Sequence, residues 1–86
     1  MDESREQWTV DYEAVWPTLK QIGEDDELVF GGVVLAMQAL PETWTAGTPM
    51  PDEPEVRVII LGGLLAQIEV IEDEHTIILR HLTYMG

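Results

Sequence analysis

Three stretches near the end of the chain are predominantly apolar. They are residues 55 to 61, 64 to 71 and 76 to 82. Short apolar runs of this length, bounded by turn signals, are typical of strands. Gly62 and Gly63 separate the first two stretches, where glycine accepts the positive φ that a two-residue hairpin turn requires. The run "EDEH" separates the second and third stretches, so the pattern predicts a three-stranded antiparallel meander.

The part of the chain before this meander predicts one strand and two helices. Residues 8 to 12 alternate between apolar and polar side chains, as in a half-buried strand. Pro17 suits the first position of a helix, so "PTLKQI" predicts a short helix that stops at Gly23. The acidic run "GEDDE" then stabilises the start of a second helix, which is predicted over residues 26 to 40.

Gly31 and Gly32 weaken this second predicted helix, because each costs about 1 kcal/mol relative to alanine. The helix then depends on packing, with the glycines allowing a sheet to approach closely. A pair of buried strands over residues 28 to 37 is the alternative. The predicted fold class is α+β, with an N-terminal strand, two helices and the meander, and with the helices on one face of the sheet.

The 86 residues are predicted to form a single domain, residues 1 to 86, that begins with a disordered tail at residues 1 to 6. Four prolines and a glycine predict a connecting loop over residues 41 to 54, held to the body of the protein by the packing of Trp44. The N-terminus lacks the basic and apolar parts of a signal peptide, and no apolar run is long enough to cross a membrane. We therefore expect a cytoplasmic protein.

The two turns fix the strand register, and alternation then assigns each side chain to one face of the sheet. Gln67 is expected opposite Arg80, and Leu65 opposite Leu82. The first face is almost entirely apolar and is expected to lie under the helices; its members are Arg57, Ile59, Leu61, Leu64, Ala66, Ile68, Val70, Ile77, Leu79 and His81. The second face is mixed; its members are Val56, Val58, Ile60, Leu65, Gln67, Glu69, Ile71, Thr76, Ile78, Arg80 and Leu82.

The second face is a candidate surface for binding a protein. Two short helices cannot cover both faces, and a contiguous apolar patch on a soluble protein usually marks an interface. The residues assigned to this surface are Val58, Ile60, Leu65, Gln67, Glu69, Ile78, Arg80 and Leu82. Gln67, Glu69 and Arg80 are expected to form a polar pocket or, as we favour, a cross-strand cluster of hydrogen bonds.

Charge restricts the kind of partner. Seventeen acidic residues against four basic ones give a net charge of −13. Because such a field repels phosphate groups, direct binding of nucleic acid is not expected. The acidity has three competing explanations: solubility, including adaptation to salt; a basic partner protein; or, least favoured, imitation of the phosphates of a nucleic acid.

The sequence gives no indication of a metal or cofactor site. There is no cysteine, which excludes disulfides, thiolate catalysis and cysteine-based zinc sites. The acidic residues 72 to 74 and His75 could attract a divalent cation, but their spacing matches no known metal-binding loop. We interpret them as a solvated turn and expect no metal and no cofactor.

The order of these elements resembles the RelE/ParE toxin superfamily of bacterial type II toxin–antitoxin modules. The resemblance covers residues 8 to 82 and rests on "LAMQALPE" and "EVRVIILGG". In the family these stretches commonly hold an Ala/Leu-rich helix end with proline, and an arginine five residues before a turn glycine, here Arg57. The resemblance implies a compact toxin that cleaves mRNA on the ribosome or poisons DNA gyrase, and that is silenced by an antitoxin segment wrapped along it.

The chain departs from the family where RNA cleavage would take place. The family often has Tyr-Arg where this chain has Leu64-Leu65, and in RNA-cleaving members that arginine helps to hold the scissile phosphate. Arg57, Arg80 and His81 are the remaining candidates for catalysis, and alternation places His81 on the opposite face from Arg80. RNA-cleaving members are also generally basic.

These departures favour a degenerate, non-enzymatic member that acts through protein binding. Its partner would be an antitoxin-like segment, the toxin's own target or another basic protein. One alternative is an active ribosome-dependent mRNA endonuclease. The other is a non-catalytic homodimer that covers its own apolar face.

Overall fold

The structure of the protein is a computed structural model that describes residues 7 to 84. The predicted disordered tail, residues 1 to 6, lies outside the described residues. The strands are β1 (Thr9–Asp11), β2 (Thr48–Pro49), β3 (Val56–Leu61), β4 (Leu64–Ile71) and β5 (Thr76–Tyr84). The α-helices are α1 (Trp16–Asp25), α2 (Glu27–Gln38) and α3 (Leu40–Thr43), and single 3₁₀ turns span Glu13–Val15, Trp44–Ala46 and Glu72–Glu74.

All five strands belong to one mixed sheet with the order β1-β5-β4-β3-β2. The predicted meander is confirmed, since β3, β4 and β5 pair antiparallel in sequence order. The N-terminal strand joins the same sheet as the parallel neighbour of β5, with Thr9 opposite Thr76. The α+β class is therefore confirmed, with two more strands in the sheet than the meander alone supplies.

The second predicted helix forms as α2, so the alternative of two buried strands is wrong. The Asp26 carboxylate caps its N-terminus by accepting hydrogen bonds from the backbone N–H groups of Leu28 and Val29, at 3.1 and 3.2 Å. Gly32 lies against the hairpin turn, where Gly62 has a φ of 57°. A Cβ on Gly62 would come within 2.7 Å of the Gly32 carbonyl carbon. The helix and the turn thus approach each other through backbone atoms, as the glycines predicted.

The predicted end of the first helix at Gly23 is wrong, because α1 continues to Asp25. Gly23 serves for close packing instead, since a Cβ at this position would lie 3.2 Å from a ring carbon of Phe30 on α2. The helix ends where Asp26 takes an extended conformation, with φ −155°. A glycine that terminates a helix and a glycine that admits a neighbouring ring cannot be distinguished in the sequence.

The segment 41–54 is not a simple loop, which corrects the prediction. It contains most of α3, a 3₁₀ turn and β2. Pro41 is compatible with the first turn of a helix, and a proline is tolerated in an edge strand such as β2. The predicted packing of Trp44 is confirmed: it is half-buried against the core, with its ring 5.9 Å from that of Trp8.

The hydrophobic core lies between the helices and the first face of the sheet. Its fully buried members are Leu19, Val33, Leu40, Leu61, Leu64, Ile68, Ile77 and Leu79. The first face of the sheet was predicted to lie under the helices. This is confirmed for its apolar members, which are buried in the core or, for Ile59, partly buried against it. Within residues 7 to 84, no helix is both long enough and apolar enough to cross a membrane.

The register between β4 and β5 corrects the prediction at one point. Ile68 pairs with Leu79 as predicted, but Gln67 pairs with His81 and Leu65 with Thr83. The register shift leaves Arg80 as an extra residue, which is the definition of a β-bulge.

This bulge inverts the alternation for the remainder of β5. Leu82 lies opposite Ala66 on the covered face and packs against the core, so its assignment to the second face was wrong. His81 lies opposite Gln67 on the second face, so its assignment to the first face was also wrong. The predicted cluster loses its geometry as well, because Arg80 no longer stands opposite Gln67. One inserted residue moves every later side chain to the other face.

Candidate functional site

The face of the sheet that points away from the helices is named here the open face. Its members are Val58, Ile60, Leu65, Gln67, Glu69, Ile78 and His81. Cross-strand pairing arranges them in rows: Ile60 beside Leu65, then Val58, Gln67 and His81, then Glu69 and Ile78. Apolar side chains therefore concentrate at the hairpin end, and polar ones lie in the middle of the sheet.

Among the apolar side chains of the open face, exposure is greatest at the hairpin end. Ile60 is 59% exposed and Leu65 is 37% exposed, which confirms the predicted exposure of these two side chains. Val58 and Ile78 are half-buried. Val56 lies at the far end of β3 and is buried, where its backbone N–H and C=O bond to Glu53 and Met50 of the preceding segment. Within the open face, the most exposed apolar side chains thus lie at the end near Gly62 and Gly63.

A groove of about 570 Å³ continues this surface around the edge of β3, and it is named here the edge groove. It is lined by Ala36, Thr43, Ala46, Thr48, Val58, Ile59, Ile60, Leu61 and Leu65. It exists because β2 pairs only with Arg57 and Val58, so β3 extends beyond its neighbour. In an antiparallel ladder, alternate residues direct their backbone groups to either side. Val58 directs its backbone groups towards β2. Ile60, two residues later, therefore directs its N–H and C=O to the same side, beyond the end of β2.

Arg57 has a structural environment. It is half-buried opposite Ile68, as predicted for the first face. Its Nη1 donates a 2.7 Å hydrogen bond to the carbonyl oxygen of Gly47, and its guanidinium lies 5.0 Å from the centre of the Trp44 ring. These contacts attach the segment before β2 to the sheet. The guanidinium is committed to them and does not point freely into solvent.

The three candidate catalytic residues are not brought together. Arg57 lies on β3 and on the covered face, whereas His81 lies on β5 and on the open face. β4 separates the two strands, which places them about 10 Å apart across the sheet. Arg80 is exposed at the bulge. Leu65 offers a hydrocarbon side chain on the open face.

The acidic turn between β4 and β5 is exposed at residues 72 to 74. His75 follows in a left-handed conformation, with φ 50°, and its ring lies 5.2 Å from that of Trp8. Among residues 7 to 84, no group of three or more acidic, histidine or cysteine side chains is arranged to hold a metal ion. The sequence analysis missed the contact between His75 and Trp8, since no local pattern indicates a ring contact across 67 residues.

A second contact that the sequence analysis missed joins Tyr12 and Trp16, whose ring centres are 6.1 Å apart. Both side chains are 45% exposed. Their spacing of four residues is a local signal that could have indicated the contact. It was hidden because Tyr12 was assigned to a strand and Trp16 preceded the predicted helix.

Comparison with models of known protein families gives no match to this chain, and comparison with curated proteins gives none either. The resemblance to the RelE/ParE superfamily therefore stays a prediction from the sequence pattern.

Proposed function

We propose that this chain is a RelE/ParE-like toxin-fold protein that acts by binding another protein, with a degenerate ribonuclease site. The binding surface is the hairpin end of the open face together with the edge groove. The single observation that carries the proposal is the exposure of Ile60 and Leu65, 59% and 37%, on a sheet face without helices. Covering two such side chains contributes about 1–2 kcal/mol to association.

Three observations favour protein binding over RNA cleavage. Leu65 occupies the position where the resemblance implies a phosphate-binding arginine, and Arg57 is engaged with Gly47 and Trp44. A net charge of −13 opposes the approach of an RNA backbone. The same surface suits an extended or helical segment of an antitoxin-like partner, because it combines apolar side chains with one free pair of backbone groups at Ile60.

The test is co-purification with the product of the neighbouring reading frame. The tagged chain is expressed together with that product, and the complex is isolated and identified by mass spectrometry. Ile60→Asp places a charge at the centre of the surface and is expected to weaken the complex by at least about 2 kcal/mol, roughly 30-fold in Kd. Leu28→Asp is the matched control, because Leu28 is 88% exposed on α2, away from the open face.

The outcome of this experiment decides the proposal. The Leu28→Asp variant is expected to retain the complex and Ile60→Asp to lose it, with circular dichroism showing that both are folded. If the neighbouring product does not bind the unaltered chain, or if it binds Ile60→Asp equally well, the proposal is wrong. A growth arrest that the neighbouring product relieves would add support for the toxin–antitoxin role.

One observation favours a second candidate, an active ribosome-dependent mRNA endonuclease. The bulge puts His81 on the open face instead of the covered face that the sequence predicted, and both His81 and its neighbour Arg80 are exposed. The test is transcript mapping in a translating extract with the purified chain and with its His81→Ala and Arg80→Ala variants. We expect no cleavage. Cleavage that both substitutions abolish would replace protein binding as the primary function.

A further inference from the structure

A groove of about 500 Å³ lies on the helix side of the sheet, beside the edge strand β1, and is named here the aromatic groove. Four of its lining residues are aromatic: Trp8, Tyr12, Trp16 and Phe30. It exists because α1 and α2 cover the middle of the sheet and leave β1 at the margin. Its surface is predominantly apolar, and its walls belong to β1, α1 and α2 and to the chain just after them.

A second groove, of about 750 Å³, shares the Tyr12–Trp16 pair with the first and is named here the acidic groove. Val10, Tyr12 and Trp16 line both grooves, and the acidic groove adds the exposed carboxylates Asp11 and Glu13. Two exposed aromatic rings are thus common to an apolar groove and to a neighbouring groove that carries two carboxylates. Among residues 7 to 84, no lysine or arginine lines either groove.

We propose that the Tyr12–Trp16 pair and its two grooves form a docking site for a basic segment of a partner protein. An aliphatic side chain of that segment occupies the aromatic groove. A neighbouring arginine or lysine lies across the exposed rings and approaches Asp11 and Glu13. This inference does not rest on the toxin-fold proposal, since it uses β1 and the helices and none of the open-face residues.

Physical chemistry supports this kind of partner. The face of an aromatic ring attracts cations, and arginine is the side chain that most often exploits this attraction. Tyrosine and tryptophan are also the residues most enriched among those that dominate binding energy at interfaces. The adjacent carboxylates add attraction for a positive charge and increase its rate of encounter.

Charge argues against other occupants. A second copy of this chain would bring another −13 to an acidic groove, and a nucleic acid would bring phosphates. The chain's own first six residues carry three acidic groups and one arginine, so their net charge is unfavourable as well. A basic segment is the occupant whose charge matches.

The test uses a blocked peptide, acetyl-Gly-Arg-Leu-Arg-Gly-amide, titrated into the full-length, ¹⁵N-labelled chain. The indole N–H signal of Trp16 reports on the docking site, and the backbone amide signal of Ile60 reports on the open face. A peptide of this size is expected to bind in the millimolar range, and the Trp16 signal is expected to shift and saturate. Two control peptides replace both arginines with glutamate, or the leucine with serine.

Variants of the chain separate the site from general charge attraction. Tyr12→Ala is expected to weaken binding about tenfold through loss of one ring. Asp11→Asn with Glu13→Gln keeps the shape of the acidic groove and is expected to weaken binding and to reduce its dependence on salt. Leu35→Ala is the matched control, because Leu35 is exposed on α2 and lines neither groove, and its affinity should not change.

Each other outcome overturns the proposal. A glutamate peptide or a serine peptide that binds equally well shows that the site does not recognise the basic charge or the apolar anchor. A shift at Ile60 without one at Trp16 places the peptide on the open face. A Trp16 shift caused by raising the concentration of the protein alone identifies a second copy as the occupant. The amide spectra of the variants verify that each is folded.

Discussion

The covered face of the sheet and its open face carry similar apolar residues but have different surroundings. Ile68 and Leu79 are completely buried in the core formed with α1 and α2, whereas Ile60 is 59% exposed. An apolar side chain gains stability in proportion to the area that folding removes from water. The same residue type therefore contributes strongly to stability on one face and remains available for association on the other.

The two faces also differ in their polar residues. On the covered side, Arg57 bonds to Gly47 and lies over Trp44. On the other side, Arg80 is exposed at the bulge, and Gln67 stands between Val58 and His81. The polar group on the covered side thus serves the fold, whereas the polar groups of the open face lie beside the exposed apolar end.

The largest effect is expected from shortening an apolar side chain on each face. Leu79→Ala leaves a cavity in the core and should lower the free energy of unfolding by about 2–5 kcal/mol. Ile60→Ala should lower it by less than about 1 kcal/mol, because most of that side chain is already in water. Urea denaturation measures both values. Equal losses would mean that the open face is covered in solution.

The next effect is expected at the hairpin turn, where the two glycines have different neighbours. Gly62 and Gly63 have φ values of 57° and 92°, so alanine at either position costs about 1–2 kcal/mol in backbone strain. At Gly62 the added Cβ would also lie 2.7 Å from the backbone of α2, whereas at Gly63 nothing lies within 4 Å. Gly62→Ala should therefore destabilise the protein by at least about 1 kcal/mol more than Gly63→Ala.

Thermal unfolding of the two glycine variants measures that difference. A difference of about 1 kcal/mol corresponds to about 4–8 °C in Tm for a domain of this size. Equal Tm values would contradict the close approach of the turn to α2. A lower Tm for Gly63→Ala than for Gly62→Ala would mean that Gly63, and not Gly62, is the glycine that lies against α2.

A smaller effect is expected from the two arginines. Arg57→Ala removes a short hydrogen bond and a contact with the Trp44 ring, and it should lower the free energy of unfolding by about 1–2 kcal/mol. Arg80→Ala should change it by less than about 0.5 kcal/mol, as is usual for an exposed residue. Chemical denaturation of both variants measures this contrast. A larger loss for Arg80→Ala would show that the bulge carries contacts beyond those described.

The smallest effect is expected from screening the net negative charge of the chain. Because repulsion among the carboxylates is screened by salt, the free energy of unfolding should increase by about 1 kcal/mol or less as ionic strength rises to about 0.15 M. Differential scanning calorimetry in sodium chloride measures the trend. A decrease of Tm with salt would indicate that attractive charge pairs outweigh the repulsion.

Local patterns in the sequence determined most of the fold. The strands of the meander and the hairpin at Gly62 and Gly63 follow from short apolar runs and turn chemistry, which act over a few neighbouring residues. The sequence left residues 28 to 37 open between helix and strand, and the helix α2 that forms there lies against the hairpin turn. The same signals located the exposed end of the open face. They identified Ile60 and Leu65 because a two-residue turn fixes which residues of β3 and β4 lie opposite each other.

Tertiary structure alone decided the features that depend on distant residues. The sequence does not show that β1 pairs with β5, that Gly23 admits the ring of Phe30, or that Arg80 forms a bulge. The bulge moved His81 onto the open face and Leu82 onto the covered face, against the core, and so changed the membership of the candidate site. The bulge could not be predicted from the sequence, because a one-residue shift in register replaces one set of cross-strand pairs with another that local patterns favour equally. In the observed register Leu82 packs against the core, and this contact joins residues that are distant in the sequence.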